Sequence, residues 1–140
     1  MPRYAAERVL LAPVEDVWSF VAEPYHLSDW WPGISGVEPD RRGLAPGARW
    51  KVLGPAAAGY FRRPQAAGTL VVLDVVPRQR LAFELPSDRI EADLTVRAKD
   101  ARTTAASLVV VAPWLLGLRG SLPSRALDRL HDLLRTSEEI

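Results

Sequence analysis

The sequence has 140 residues, no cysteine and a formal net charge of +1, so we expect one domain over residues 1–140 that folds without disulfides or metal. The absence of cysteine excludes thiolate nucleophiles, and the small net charge with scattered arginines argues against nucleic-acid binding. Because neither a leader nor an apolar run of membrane-spanning length is found, we expect a cytoplasmic protein.

The first third of the chain predicts a strand followed by two short helices. Residues 3–11 alternate between apolar and polar in the manner of a strand. Pro13 fits the first position of a helix, and Glu15 and Asp16 suit the positive end of the helix dipole. Residues 25–31 predict a second short helix that ends before Pro32. Apolar residues recur in the first helix at the spacing of one buried face, namely Val14, Val17, Trp18 and Val21.

The middle of the chain predicts a series of strands joined by turns. The clearest alternation is at residues 89–99, which predicts a strand with one dry face and one face in water. Glu91 and Asp93 fall on the wet side of that strand. Residues 54–64 predict a strand interrupted by glycine and proline. The other expected strands are residues 37–41, 48–53, 69–76, 81–85 and 103–111.

The end of the chain predicts one long amphipathic helix. Ser124 is a suitable N-cap, and the buried stripe would consist of Leu127, Leu130, Leu133 and Leu134. The order of elements predicts an α+β fold in which a curved antiparallel sheet of about seven strands packs against this helix. Because one helix cannot cover a whole concave sheet, we expect a hydrophobic cavity between the two.

Four parts of the sequence together resemble a known family. They are LAPVEDVW at residues 11–18, LSDWWPG at 27–33, VPRQRL at 76–81 and the last helix. These motifs resemble the helix-grip fold of the START-like (SRPBCC) superfamily, and most closely its bacterial polyketide cyclase/dehydrase-like group. The resemblance covers nearly the whole chain and implies a hydrophobic pocket between the sheet and the C-terminal helix. Residues 113–123, which contain two prolines and two glycines, depart from the family pattern.

Aromatic side chains are the candidates for the wall of that pocket. Trp30 and Trp31 are adjacent, so on a helical turn they would point about 100° apart. We therefore expect one of them to seal the core and the other to reach the cavity or its rim. Aromatic walls suit planar or polycyclic ligands. The predicted ligand-binding residues are Trp31, Trp50, Tyr60, Phe83, Trp114, Leu127 and Leu130.

Two polar residues, His131 and Arg62, are the candidates for catalysis. His131 lies beside the apolar stripe of the last helix, where it could transfer a proton near neutral pH, and a surface position is the alternative. Arg62 could orient a carboxylate, phenolate or enolate at the pocket rim, or lie at the surface. His26 and Asp29 are spaced to interact, and a local surface hydrogen bond explains that pair equally well. No metal or cofactor motif is found, so neither is predicted.

These expectations favour a protein that binds a hydrophobic, aromatic or polyketide-like small molecule. Action as a cyclase, aromatase or dehydratase stays open, because the inferred pocket offers few groups to stabilise developing charge. One alternative is a non-catalytic lipid or quinone carrier, and another is a stress or partner-binding module with a collapsed cavity. Transient membrane contact by residues 113–122 is the less favoured interpretation of that segment. The sequence does not decide between a monomer and a homodimer.

Overall fold

The computed structural model describes residues 2–53, 66–113 and 121–138 of the chain. Within these ranges, seven antiparallel strands form one curved sheet in the order β1-β7-β6-β5-β4-β3-β2. Three helices accompany the sheet: α1 (Val14–Val21), α2 (Leu27–Trp30) and α3 (Leu122–Glu138). Short 3-10 turns lie at Pro24–His26 and Pro86–Asp88. The strands are β1 (Arg3–Leu10), β2 (Gly36–Glu38), β3 (Arg49–Leu53), β4 (Ala66–Val76), β5 (Arg80–Leu85), β6 (Ile90–Ala98) and β7 (Thr104–Val111).

This architecture confirms the predicted α+β helix-grip fold. The first strand pairs with the last, with Arg3 opposite Val111 and Leu10 opposite Thr104. The terminal helix α3 packs against these two strands and against α2. The long helix therefore packs against the sheet, as the sequence pattern predicts, and the structure places it at the β1 end.

The sheet has a buried inner face and an outer face toward solvent. In β6 the predicted alternation is confirmed, since Leu94 is buried whereas Glu91 and Thr95 are exposed. On α3, three leucines of the predicted stripe are buried, and Leu133 packs partly buried against the same core. The three are Leu127, Leu130 and Leu134.

Both predicted helix starts are displaced in the structure. Pro13 lies one position before α1, and its carbonyl accepts hydrogen bonds from the backbone N–H groups of Asp16 and Val17. At the other end of the chain, α3 begins at Leu122, so Ser124 lies inside the first turn and does not cap it. The Ser124 hydroxyl instead donates to the carbonyl of Ser121 at 3.0 Å.

Two strands also differ from expectation. β2 ends at Glu38, shorter than the expected residues 37–41, because Asp40 begins a tight turn there. In β4 the pairing with β5 is interrupted between Val72 and Asp74, where a bulge leaves Leu73 exposed. The strand expected within residues 54–64 lies outside the described residues.

Candidate functional site

The inner face of the sheet holds a cluster of three aromatic rings. The Trp30 and Trp31 rings meet edge to face, with their centroids 5.8 Å apart. Trp31 meets Phe83 of β5 in the same way, with centroids 5.1 Å apart. Edge-to-face pairs at such separations are favourable beyond the area that they bury. The cluster therefore joins α2 to the inner face of β5.

The expectation that Trp30 and Trp31 point apart was wrong. It assumed that both residues belong to one helical turn, whereas α2 ends at Trp30 and Trp31 already has an extended backbone (φ −90°, ψ 117°). This change of backbone direction lets the two rings pack against each other. Both are buried, with 0% and 1% of their surfaces exposed, so neither lies at an exposed rim.

The five predicted ligand-binding residues that the structure describes belong to one hydrophobic core cluster. Accessible surface includes any internal space that admits a water molecule, so the exposed fraction tells whether a side chain borders such a space. At these five side chains the interior is packed, and none of them borders a ligand-sized space. They are Trp31 (1% exposed), Trp50 (3%), Phe83 (1%), Leu127 (1%) and Leu130 (0%). Tyr60 and Trp114, the other two, lie outside the described residues.

A turn held by Asp40 positions Trp50. The Asp40 carboxylate accepts hydrogen bonds from the backbone N–H groups of Arg42, Gly43 and Arg49, at 3.0, 3.2 and 2.9 Å. These bonds, with that from Arg49 the most important, hold the pKa of Asp40 below its usual value. The turn places the Gly43 carbonyl where the Trp50 indole N–H donates to it at 2.7 Å. Trp50 thus has its apolar ring in the core and its one polar atom satisfied.

Trp30 differs from Trp50 in this respect. Its side chain is fully buried, and its Nε1–H has no hydrogen-bond partner among the described residues. Among the described residues, Thr104 is the one buried polar residue. Its hydroxyl donates to the Ala12 carbonyl at 2.8 Å. Among the described residues two buried side-chain donors lack a partner, the Trp30 indole N–H and Nε of Arg8, whose side chain is partly exposed. Sequence analysis missed the Trp30 donor, because nothing in a sequence shows whether a buried indole finds an acceptor.

His131 lies on the side of α3 beside the buried stripe, as predicted. Its side chain is 14% exposed, and Nδ1 lies 3.3 Å from the carboxylate of the adjacent Asp132. One turn earlier on the same helix, Asp128 accepts a 2.7 Å ion-pair hydrogen bond from Arg8 of β1. The part of α3 around His131 therefore carries charged groups at the edge of the core.

His26, another polar candidate, has a local structural role. His26 donates through Nδ1 to the carbonyl of Phe20 at 2.9 Å and stacks on the Phe20 ring with centroids 4.2 Å apart. A local structural role thus accounts for His26 without Asp29. Arg62 lies outside the described residues.

The outer face of the sheet carries a cluster of charges. Arg80 donates to both carboxylate oxygens of Asp93, with a shortest distance of 2.7 Å, and to Asp74 at 2.8 Å. Its hydrogen bonds to Asp93 raise the pKa of Arg80. Sequence analysis placed Asp93 correctly on the outer face but missed its partner, because the pairing depends on the register of β5 with β6.

Open space on the described surface is found along this outer face. Two grooves follow β7, with volumes of about 630 Å³ and about 170 Å³. The larger groove combines side chains of mixed character, including Glu7, Val9, Thr95, Arg97 and Ser107. It lacks the aromatic wall of the inner face.

The absence of two features among the described residues bears on the class of protein. Among the described residues, no group of three or more His, Cys, Asp and Glu side chains is placed to hold a metal ion. The helices in that part of the chain are all too short or too polar to cross a membrane.

Sequence comparison identifies the family. Residues 1–132 match the family described as polyketide cyclase/dehydrase and lipid transport. The chain therefore belongs to this family of the START-like (SRPBCC) superfamily, as the motifs predict. No curated protein matches the sequence significantly.

Solved structures share the fold at low sequence identity. A protein from Nitrosomonas europaea superimposes with a TM-score of 0.73 at 19% identity, covering 99% of this chain and 97% of its own. XoxI from Bacillus cereus gives 0.73 at 13% identity, covering 99% of both chains. DynU16, a protein in the dynemicin biosynthetic locus, gives 0.65 at 20% identity, covering 96% of this chain and 48% of DynU16. These likenesses show the fold. The family match suggests binding of a hydrophobic ligand.

Proposed function

We propose that this protein is a single domain that binds a hydrophobic, aromatic or polyketide-like small molecule between α3 and the inner face of the sheet. The observation that carries the proposal is the aromatic cluster of Trp30, Trp31 and Phe83, next to an α3 stripe that includes Leu127 and Leu130. Aromatic walls with very few polar groups favour planar apolar ligands. The family match supports the same class of ligand.

Binding at this wall has to be coupled to an opening of the interior. The five described lining residues are at most 3% exposed, so a ligand must displace side chains or shift α3 away from the sheet. Such an opening reduces the apparent affinity by the fraction of molecules that are open before binding. A ligand that binds well must therefore regain this free energy through burial of its own apolar surface.

If the bound molecule is converted as well as held, a shaped pocket can accelerate cyclisation by fixing a flexible chain in a reactive pose. His131 is then the proposed proton donor or acceptor, and Arg62 the cation that orients an enolate or phenolate. In a working turnover assay, His131→Ala and Arg62→Ala should each lower kcat without changing the thermal unfolding midpoint. Unchanged turnover in both variants would contradict these roles.

A partner-binding module without a small ligand is the second candidate. The close burial of Trp31, Phe83 and Leu130 favours it, because such a module needs no ligand cavity between these side chains. A lipid or quinone carrier shares the inner site with the first candidate and differs in the ligand that it prefers.

Thermal unfolding with a panel of compounds separates the three candidates. The panel contains bicyclic and tricyclic aromatics, a long-chain fatty acid and an isoprenoid quinone, each tested at several concentrations. A ligand at about 100 times its dissociation constant should add about 2.7 kcal/mol to the free energy of unfolding. Stabilisation by the aromatics is expected, and stabilisation by the fatty acid or isoprenoid quinone alone would favour the carrier. No stabilisation by any compound would favour the partner-binding module.

Methyl NMR on the same samples locates the bound compound. Ligand in the interior should shift the methyl resonances of Leu127 and Leu130, which are buried in α3. The matched controls are Val109 and Val111, which line the smaller outer groove. Shifts confined to the two valines would place the ligand on the outer face and contradict the proposed site.

A further inference from the structure

Two buried tryptophans on the inner face of the sheet differ in the state of their indole N–H groups. The N–H of Trp50 donates to Gly43 at 2.7 Å, whereas that of Trp30 has no partner within the described part of the chain. Buried polar atoms are almost always hydrogen-bonded, and buried tryptophan N–H groups usually find an acceptor. The Trp30 donor is therefore an exception that needs a physical explanation.

A buried water at this donor would have to find its other partners mainly among backbone carbonyls. A water held in a protein interior needs two to four polar partners. Apart from Thr104, whose hydroxyl already donates to Ala12, the buried side chains that the structure describes are apolar. The ring of Trp31, edge to face with Trp30, is a nearby acceptor, and such an N–H···π contact is weak.

The position of Trp30 places this donor in the proposed binding region. α2 contacts α3 on one side and β2 on the other, so it lies between the terminal helix and the far edge of the sheet. The ring of Trp30 also contacts that of Trp31, which in turn contacts Phe83 on the inner face. The Trp30 N–H therefore belongs to the same group of rings that a planar ligand would contact.

We infer that the Trp30 Nε1–H is the donor that recognises an oxygen acceptor on the ligand. The ligand class is then a neutral aromatic ketone or quinone. This inference rests on the proposed function. A hydrocarbon chain offers no acceptor. A carboxylate would be costly to bury, because no cationic residue is fully buried among the described residues and Arg8, whose Nε is buried, already pairs with Asp128. Because the donor is already removed from water in the free protein, a carbonyl that reaches it gains a hydrogen bond at little further desolvation cost to the protein.

A matched pair of bicyclic probes tests the inference. 1-Tetralone and tetralin share one ring skeleton and differ by a carbonyl in place of a methylene group. Their dissociation constants are measured by calorimetric titration of the wild-type protein and of Trp30→Phe, which keeps an aromatic ring and removes the N–H. Because the two probes share one ring skeleton, the ratio of their dissociation constants reports the contribution of the carbonyl group. In Trp30→Phe we expect the affinity for 1-tetralone to fall about tenfold relative to that for tetralin, because one buried hydrogen bond is lost.

The matched control is Trp50→Phe. It makes the same side-chain change at a residue whose N–H is already bonded to Gly43, so the ratio for the two probes should equal that of the wild type. An unchanged ratio in Trp30→Phe, or an equal change in both variants, would overturn the inference while leaving ligand binding intact. Failure of both probes to bind the wild-type protein would overturn the proposed function for this ligand class, and the inference with it.

An NMR measurement on the wild-type protein keeps the test decisive if Trp30→Phe does not fold. The indole N–H proton of Trp30 should move downfield as 1-tetralone is added, because it gains a hydrogen-bond acceptor, and should not do so with tetralin. The indole N–H of Trp50, which already donates to Gly43, serves as the internal reference and should respond equally to the two probes. A Trp30 signal that does not respond to saturating 1-tetralone would contradict the assignment.

Discussion

The inner and outer faces of the sheet show how one alternating pattern serves two different purposes. On the inner face, Phe83 and its neighbours are packed, and Thr104 is the one buried polar residue in the described part of the chain. On the outer face, Arg80 bridges two carboxylates and grooves run along β7. The inner face has the chemistry that an apolar ligand needs, but its five described lining candidates are at most 3% exposed. The outer face has open space but mixed polarity.

This difference teaches that open volume and binding chemistry need not lie on the same face of a sheet. Ligand sites are usually apolar and largely preformed, with a few polar groups that orient the ligand. The inner wall of this protein meets the chemical part of that description, with Trp30 as its unsatisfied donor. The space for a ligand would have to come from an opening between α3 and the sheet. The comparison between the faces can be tested by variants at neighbouring positions.

The largest effect is expected at two adjacent residues of β5 that point to opposite faces. Phe83→Ala removes a fully buried ring and its edge-to-face contact with Trp31, and should lower the free energy of unfolding by about 3–5 kcal/mol. Glu84→Ala, on the outer face, should stay within about 0.5 kcal/mol of the wild type. Urea denaturation of both variants measures the difference. Similar losses in the two variants would mean that the faces do not differ in packing as described.

An intermediate effect should separate the two buried indoles. Trp50→Phe and Trp30→Phe remove the same atoms, but only Trp50→Phe breaks a hydrogen bond, the one to the Gly43 carbonyl. We therefore expect Trp50→Phe to cost about 1 kcal/mol more than Trp30→Phe. The same denaturation experiment checks this. A larger loss for Trp30→Phe would show that its N–H has a strong partner in the free protein.

Sequence reasoning predicted the framework of the fold, because hydrophobic period and turn residues act locally. The alternation in β6 and the leucine stripe of α3 gave the correct buried faces. Errors arose where a side chain or a backbone change acts across several residues. The Asp40 carboxylate shortens β2, and the extended backbone at Trp31 brings two rings together that a helix would separate.

The candidate site was less predictable than the fold. Residue type and strand parity placed Trp50 on the inner face, where it is buried. They did not decide which of Trp30 and Trp31 faces the cavity. They could not show how closely these side chains pack, because packing density depends on the fit of side chains from distant parts of the chain. Nor could they show which indole has an acceptor, since Trp50 meets Gly43 only through the turn that Asp40 holds.

The smallest effect is expected on the outer face, at two carboxylates of β6. Asp93→Asn removes the charge that pairs with Arg80, while Glu91→Gln removes a charge that lies directly opposite Glu84 of β5. Exposed ion pairs contribute about 0.2–1 kcal/mol, and like charges opposite each other on a sheet are destabilising. Asp93→Asn should therefore lower stability slightly, whereas Glu91→Gln should leave it unchanged or raise it.

Both effects should shrink in about 1 M salt, which shortens the screening length to about 3 Å. Urea denaturation at low and high salt measures them. A loss at Asp93 that is as large as that of Phe83→Ala, or that persists in high salt, would mean that the outer face also carries buried structural interactions.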